Sequence, residues 1–187
     1  MEAFLISCGA VFVGEIGDKT MLLALVLATR FRKPLPLIAG ILVATLFNHA
    51  LAGLIGGWLR GLVDPAWLPW LVGGSFVLVG LWALKPDTLE DSEGQQLGNA
   101  FIVTTIAFFL AEIGDKTQIA TTLLAARFDT LIPVVAGTTL GMLLADVPVV
   151  FVGARLAQKL PLKTIRYVAA GIFIAIGLTT LLLGLRA

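Results

Sequence analysis

The hexapeptide Glu-Ile-Gly-Asp-Lys-Thr occurs twice in this chain, at residues 15–20 and at residues 112–117. Each copy lies in the middle of a long apolar stretch. If that stretch crosses a membrane, the motif lies near the bilayer centre, where an ionised carboxylate costs at least about 2.5 to 3.5 kcal/mol. On a continuous helix, the Glu, Asp and Lys of each copy would share one face. Buried carboxylate and hydroxyl oxygens are ligands that hard divalent cations prefer. The motif therefore indicates a cation site inside a membrane.

The two motif copies carry more acidic than basic groups. They provide four carboxylates and two ammonium groups: Glu15, Asp18, Glu112, Asp115, Lys19 and Lys116. The excess of two negative charges matches one divalent cation or two protons. Because burial penalises the charged form of a carboxylate, an empty site is expected to hold protons that a metal ion displaces. Antiport follows if the site opens alternately to the two sides of the membrane.

The composition is that of a membrane protein. Of 187 residues, 58% are hydrophobic and 13% are charged, against roughly 25% charged in soluble domains. The mean hydropathy is +0.99. The net charge of +1 gives no basic excess for a nucleic-acid partner, and the single cysteine, Cys8, excludes an internal disulfide. Met1-Glu2 lacks the positive start of a signal peptide, so we expect a retained first helix in a prokaryotic cytoplasmic membrane.

Six apolar stretches are long enough to cross a bilayer as helices. They are Phe4–Ala28, Leu35–Gly57, Trp67–Leu84, Ala100–Ala126, Ile132–Val152 and Tyr167–Leu185. The loops after the first, third and fifth spans are richer in Lys and Arg than the loops on the other side, which places them in the cytoplasm and both termini outside. The acidic segment 85–99 is interpreted as a cytoplasmic linker.

A shift of 97 positions superimposes the two motif copies and continues without a gap through both halves. The sequence therefore predicts a first three-helix repeat at residues 1–84 and a second at residues 100–187. Because each repeat has an odd number of spans, the second enters the membrane inverted. Secondary transporters of this architecture hold their substrate near the midplane, between the repeats. The predicted fold is thus an all-α integral membrane protein of six helices in two inverted repeats.

Further polar residues lie close to the motif or in the middle of other spans. The predicted metal ligands are Glu15, Asp18, Thr20, Glu112, Asp115, Thr117 and Gln118; the proton-carrying or accessory residues are Asn48, His49, Asp146, Lys19 and Lys116. The shift of 97 places His49 over Asp146. His49 is interpreted as a ligand, a proton relay or a hydrogen-bonded interior histidine, and Asp146 as a proton or cation group. Gly14 and Gly17 are expected to allow close approach of a helix or ion.

The duplicated motif resembles the signature of the GDT family of cation/proton exchangers, and the resemblance covers the whole chain. It implies exchange of Mn²⁺ or Ca²⁺ for protons, with Glu15, Asp18, Glu112 and Asp115 as ion ligands and Thr20, Thr117 and Gln118 nearby. The compact bacterial members are described as manganese exporters. No cofactor and no obligatory protein partner is implied; the expected partners are the metal ion, protons and the lipid bilayer.

Other functions remain open from the sequence. An all-oxygen site suits Mn²⁺, Ca²⁺ or Mg²⁺, and the choice between Mn²⁺ and Ca²⁺ is not determined. A proton-coupled exporter of another small solute would use the same acids. A structural bundle would pair Glu15 with Lys19 and Glu112 with Lys116 inside their own helices. An enzyme is not expected, since neither His-Glu-x-x-His nor Gly-x-Ser-x-Gly occurs.

Overall fold

A computed structural model describes residues 1–85, 99–152 and 162–184. These residues form eight helices and no strand, which confirms the all-α prediction over the described ranges. The helices are α1 Glu2–Glu15, α2 Lys19–Phe31, α3 Pro34–Leu62, α4 Leu68–Trp82, α5 Ala100–Glu112, α6 Lys116–Phe128, α7 Leu131–Val152 and α8 Leu162–Gly184. The predicted linker 85–99 lies outside the described residues except at its two ends.

The first and fourth predicted spans are not continuous helices. The stretch Phe4–Ala28 is divided between α1 and α2, and Ala100–Ala126 is divided between α5 and α6. The prediction that the Glu, Asp and Lys of each motif share one helical face is therefore wrong. The reason is a backbone turn inside each motif, where Gly17 and Gly114 adopt φ angles of 84° and 74°. An α-helix cannot continue through a residue in that conformation.

Many large apolar side chains are exposed on the surface of the molecule, and many polar side chains are buried beside the apolar core. On α3, Leu46, Phe47 and Leu54 are exposed, whereas Asn48 and His49 are buried. Two of the described helices, α3 and α7, are long and apolar enough to cross a bilayer, and shorter apolar segments lie in α4, α5 and α8. Exposed apolar side chains and buried polar side chains suit a hydrocarbon solvent, because polar groups in lipid must be satisfied within the protein.

Matching residues in the two halves of the chain make matching contacts. A methyl group added at Gly40 of α3 would lie 2.8 Å from Thr104 Cβ on α5, and one added at Gly137 of α7 would lie 3.1 Å from Ser7 Cβ on α1. Gly40 and Gly137 are 97 positions apart in the chain, and so are Ser7 and Thr104. Helix α3 of the first half thus packs against α5 of the second half, and α7 of the second half packs against α1 of the first half.

We predict that Gly56 of α3 does not tolerate a side chain. A Cβ at Gly56 would overlap the backbone oxygen of Thr122 on α6, whereas a Cβ at the neighbouring Gly57 meets nothing within 4 Å. Because a backbone carbonyl cannot rotate away, Gly56→Ala is expected to cost about 1–3 kcal/mol of stability. Gly57→Ala is the matched control and should hold or slightly raise Tm in detergent, because Ala favours helices. Equal Tm values for the two variants would contradict the close packing of α3 on α6.

Candidate cation site

Each motif copy forms a tight turn between two helices. The Asp18 N–H donates to the Glu15 carbonyl at 3.0 Å, Ile16 has φ −64° and ψ 114°, and Gly17 has φ 84°. These are the features of a type II β-turn, whose third position requires the positive φ that glycine adopts without strain. Asp18 then caps α2, its carboxylate accepting the Lys19 N–H at 2.5 Å. Residues 112–115 repeat this turn, with a 3.0 Å hydrogen bond between Asp115 N–H and the Glu112 carbonyl.

The turn gives the motif glycines a role other than the close approach expected of Gly14 and Gly17. Close approach is found at Gly14, where an added Cβ would lie 3.1 Å from Phe173 Cζ. Gly17 and Gly114 instead supply the positive φ of the turn. The sequence contained the signal, because glycine at the third turn position followed by an N-capping aspartate marks a helix break.

Three carboxylates from the two turns converge in the interior. Glu15, Glu112 and Asp115 each offer an oxygen, and these oxygens lie within 4.8 Å of one another. The two glutamates are fully buried and Asp115 is 3% exposed. No other group of acidic, histidine or cysteine side chains in the described ranges meets the same geometric requirement. The cluster is a candidate site for a hard cation.

Threonine hydroxyls orient the two glutamates in matching ways. Thr20 Oγ1 donates to Glu15 Oε2 at 2.5 Å, and Thr117 Oγ1 lies 3.1 Å from Glu112 Oε2 and 3.4 Å from Asp115 Oδ2. The second oxygen of each glutamate, Oε1, is buried and has no hydrogen-bond partner among the described residues. Each glutamate therefore keeps one oxygen available for a cation or a proton.

The two motif lysines pair across the halves of the chain. Lys19 Nζ lies 2.9 Å from Asp115 Oδ1, and Lys116 Nζ lies 3.0 Å from Asp18 Oδ2. The alternative in which each lysine pairs with the glutamate of its own helix is therefore wrong. The turn separates Glu15 from the helix that begins with Lys19, so the lysine meets the aspartate of the other motif. With each lysine on an aspartate, the excess negative charge falls on the two glutamates.

Asp146 adds a further acid to this region. It is fully buried on α7, and neither carboxylate oxygen has a hydrogen-bond partner within residues 1–85, 99–152 and 162–184. It interacts electrostatically with Glu15, Glu112 and Asp18. Its position is consistent with the predicted proton or cation role.

The remaining candidate residues differ in their surroundings. Asn48 Nδ2 donates to the Phe109 carbonyl at 3.1 Å, which leaves its Oδ1 without a partner in the described part of the chain. His49 is fully buried, and neither of its ring nitrogens has a hydrogen-bond partner among the described residues. Gln118 Oε1 accepts the Gly114 N–H at 2.7 Å. Met21, which follows the first motif as Gln118 follows the second, accepts the Gly17 N–H through Sδ at 3.4 Å, a role that sequence reasoning missed.

Comparison with known proteins identifies one protein family that matches the chain. The family described as "Divalent cation/proton antiporter GDT1" matches residues 3–91 and 100–187. A protein of Vibrio cholerae serotype O1 named "Putative manganese exporter" is 50% identical over 181 residues, which is 96% of this chain and 90% of the relative. GDT1-like protein 5 of Arabidopsis thaliana is 26% identical over 97% of this chain and 96% of its own length. No solved structure matches the chain.

Proposed function

The chain belongs to the GDT1 family of divalent cation/proton antiporters, and from this premise we propose that it exports Mn²⁺ from the cytoplasm in exchange for protons. It is a membrane transporter and not an enzyme, so its cation is a substrate and not a cofactor. The observation that carries the proposal is the buried cluster of Glu15, Glu112 and Asp115, in an interior where each motif lysine pairs with an aspartate, so that the acidic excess lies on the two glutamates. The choice of Mn²⁺ rests on the name of the Vibrio cholerae relative.

The proposed architecture is six spans in two inverted repeats, residues 1–84 and 100–187. Thr45 Oγ1 donates to Met142 Sδ at 3.0 Å, and these two residues are 97 positions apart. A contact between equivalent residues is expected where a two-fold axis passes between the halves. The proposed location is the cytoplasmic membrane of a prokaryote.

Contacts between helix ends support the alternating orientation. Arg60 at the end of α3 lies 3.3 Å from Asp129 after α6 and donates to the Ala126 carbonyl at 2.8 Å. At the other end of the molecule, Arg32 after α2 and Val150 near the end of α7 line one cavity. Arg60 and Asp129 belong to the predicted outer side, and Arg32 and Val150 belong to the predicted cytoplasmic side. Both termini then face outward.

We propose that Glu15, Glu112 and Asp115 bind the cation directly, with Thr20 and Thr117 as neutral oxygen donors. Asp18 contributes through its ion pair with Lys116. Gln118 stays close to the site, but its oxygen is used by the second turn. Oxygen ligands of this kind accept Ca²⁺ as well as Mn²⁺, so Ca²⁺ is the second proposed substrate.

The exchange mechanism follows from the charge of the two glutamates. One Mn²⁺ or two protons neutralise the glutamate pair, whereas the empty, ionised pair leaves two uncompensated charges in a low-dielectric interior. That empty state is costly by several kcal/mol per ion. The transporter therefore changes the side to which it opens when loaded with the metal or with protons, and rarely when empty. This difference couples the two fluxes. Asp146 and His49 are proposed to pass protons between the glutamates and water.

The test is metal-driven proton movement in proteoliposomes that hold a trapped pH indicator. Mn²⁺ added outside is expected to enter and to drive protons out, and Ca²⁺ is expected to do so more slowly. Protein-free vesicles with the same ion gradient are the control. If neither ion moves protons although the protein is folded and inserted, the motif serves another solute or only stability, and the proposal is wrong.

A further inference from the structure

In each motif turn, the turn hydrogen bond does not satisfy the N–H of the glycine. In a type II turn the fourth N–H bonds to the first carbonyl, whereas the N–H of the third residue, the glycine, is left over. An unpaired N–H away from water is costly. In both copies the side chain four residues after the glycine accepts this N–H: Met21 Sδ at 3.4 Å from Gly17 N and Gln118 Oε1 at 2.7 Å from Gly114 N.

The two acceptors are unequal although the motif residues and the turn hydrogen bonds match. The six motif residues are identical in both copies, the turn hydrogen bonds are both 3.0 Å, and each glutamate meets a threonine hydroxyl. A thioether sulfur is a weak acceptor, whereas an amide carbonyl is a good one with two lone pairs. The residue that follows each motif is therefore what distinguishes the hydrogen bond to the glycine N–H in the two turns.

We propose that Met21 and Gln118 are positioning residues, of which Gln118 fixes the second turn and Met21 leaves the first turn free to open. The inference rests on the proposed exchange function and adds which half of the site moves. Because Glu15 ends the helix before the first turn, opening of that turn displaces Glu15 from the cluster. Glu112 and Asp115 stay in place on the fixed turn. When one of the three carboxylates moves away, the affinity of the site for the cation falls and the cation can dissociate.

The direct test is amide hydrogen exchange resolved to single residues in the full-length protein in nanodiscs. We expect faster exchange at Gly17 than at Gly114. Exposure alone predicts the opposite order, because Gly114 is exposed and Gly17 is only half-buried. Met21→Gln is expected to slow exchange at Gly17 about fivefold, the effect of one ordinary hydrogen bond. Met21→Leu, which keeps the volume and removes the acceptor, should speed it.

Transport measurements give a second readout that a purely structural role would not produce. Met21→Gln is expected to lower the turnover of Mn²⁺ while its KM changes less than about twofold, since the closed site is unchanged. The double variant Met21→Gln, Gln118→Met should regain turnover, because one loosely held turn is present again. Should Met21→Gln fold poorly, Gln118→Met alone is informative, since it is expected to speed exchange at Gly114 to the rate at Gly17.

The proposal is overturned if Gly17 exchanges no faster than Gly114 in the unaltered protein, or if Met21→Gln leaves Gly17 exchange unchanged. Its failure is distinguishable from failure of the proposed function, because hydrogen exchange is measured without metal transport. If amide hydrogen exchange differs between Gly17 and Gly114 but Mn²⁺ drives no proton flux, the two turns are unequal and the antiport proposal is wrong. Proton-coupled flux with equal exchange would retain the antiport and reject the unequal turns.

Discussion

Replacing Glu15 with glutamine is expected to reduce Mn²⁺/H⁺ exchange by about 100-fold or more while the protein remains folded. Glutamine keeps the shape and the hydrogen bond from Thr20, but it removes one of the two charges that we propose neutralise the cation. Leaving a buried charge without its partner typically costs about 3–5 kcal/mol, equivalent to a loss of about two to nearly four orders of magnitude in binding. Rates are measured as metal-driven proton efflux from proteoliposomes, with Tm recorded for the same preparation.

The matched control for this variant is Glu2→Gln. Glu2 lies in the first turn of the same helix and is exposed, so the substitution removes the same charge far from the cluster. Its exchange rate should stay near that of the unaltered protein. Glu112→Gln should resemble Glu15→Gln, because the two glutamates make equivalent contacts. Full exchange by Glu15→Gln would contradict the assignment of the site.

Replacing Lys116 with methionine is expected to destabilise the protein by about 3–5 kcal/mol, because it leaves Asp18 as a buried charge that has lost its lysine. Lys19→Met is the comparison within the same molecule. The Lys19 side chain is 27% exposed and that of Lys116 is 5% exposed, so water compensates Asp115 better after Lys19 is lost. The smaller destabilisation is therefore expected for Lys19→Met. Chemical unfolding in detergent measures both.

A double-mutant cycle identifies the partner of Lys116. Asp18→Asn added to Lys116→Met is expected to restore most of the lost stability, since the uncompensated charge is then gone. Glu112→Gln added to Lys116→Met should not restore it. The opposite pattern, rescue by Glu112→Gln and none by Asp18→Asn, would show that the lysine pairs within its own half and would reject the crossed ion pairs.

Much of the helical framework could be predicted from the sequence because it depends on local patterns. The apolar stretch Ile132–Val152 corresponds to α7, Leu131–Val152, and Trp67–Leu84 corresponds to α4, Leu68–Trp82. The need for two compensating charges also followed from residue types alone. These conclusions require only hydropathy and charge, which are properties of composition and order along the chain.

The features that depend on tertiary arrangement could not be predicted in the same way. Glu15 and Lys19 are four positions apart, which on a helix would make them neighbours, and only the turn at Gly17 makes Asp115 the partner of Lys19. The acceptor role of Met21 was missed because a thioether in an apolar stretch has no pattern that separates packing from hydrogen bonding. The sequence did contain one unused signal, the glycine and N-capping aspartate that form each turn.

In the proposed exchange, the same buried carboxylates hold either one divalent cation or protons. The most direct measurement is the number of protons released per Mn²⁺ bound by the purified protein, obtained by calorimetry in buffers of different ionisation enthalpy. We expect release of about two protons per ion from the protonated site, and a clear loss of both binding and release in Glu15→Gln. Binding of Mn²⁺ without proton release, or equal release by Glu15→Gln, would contradict it.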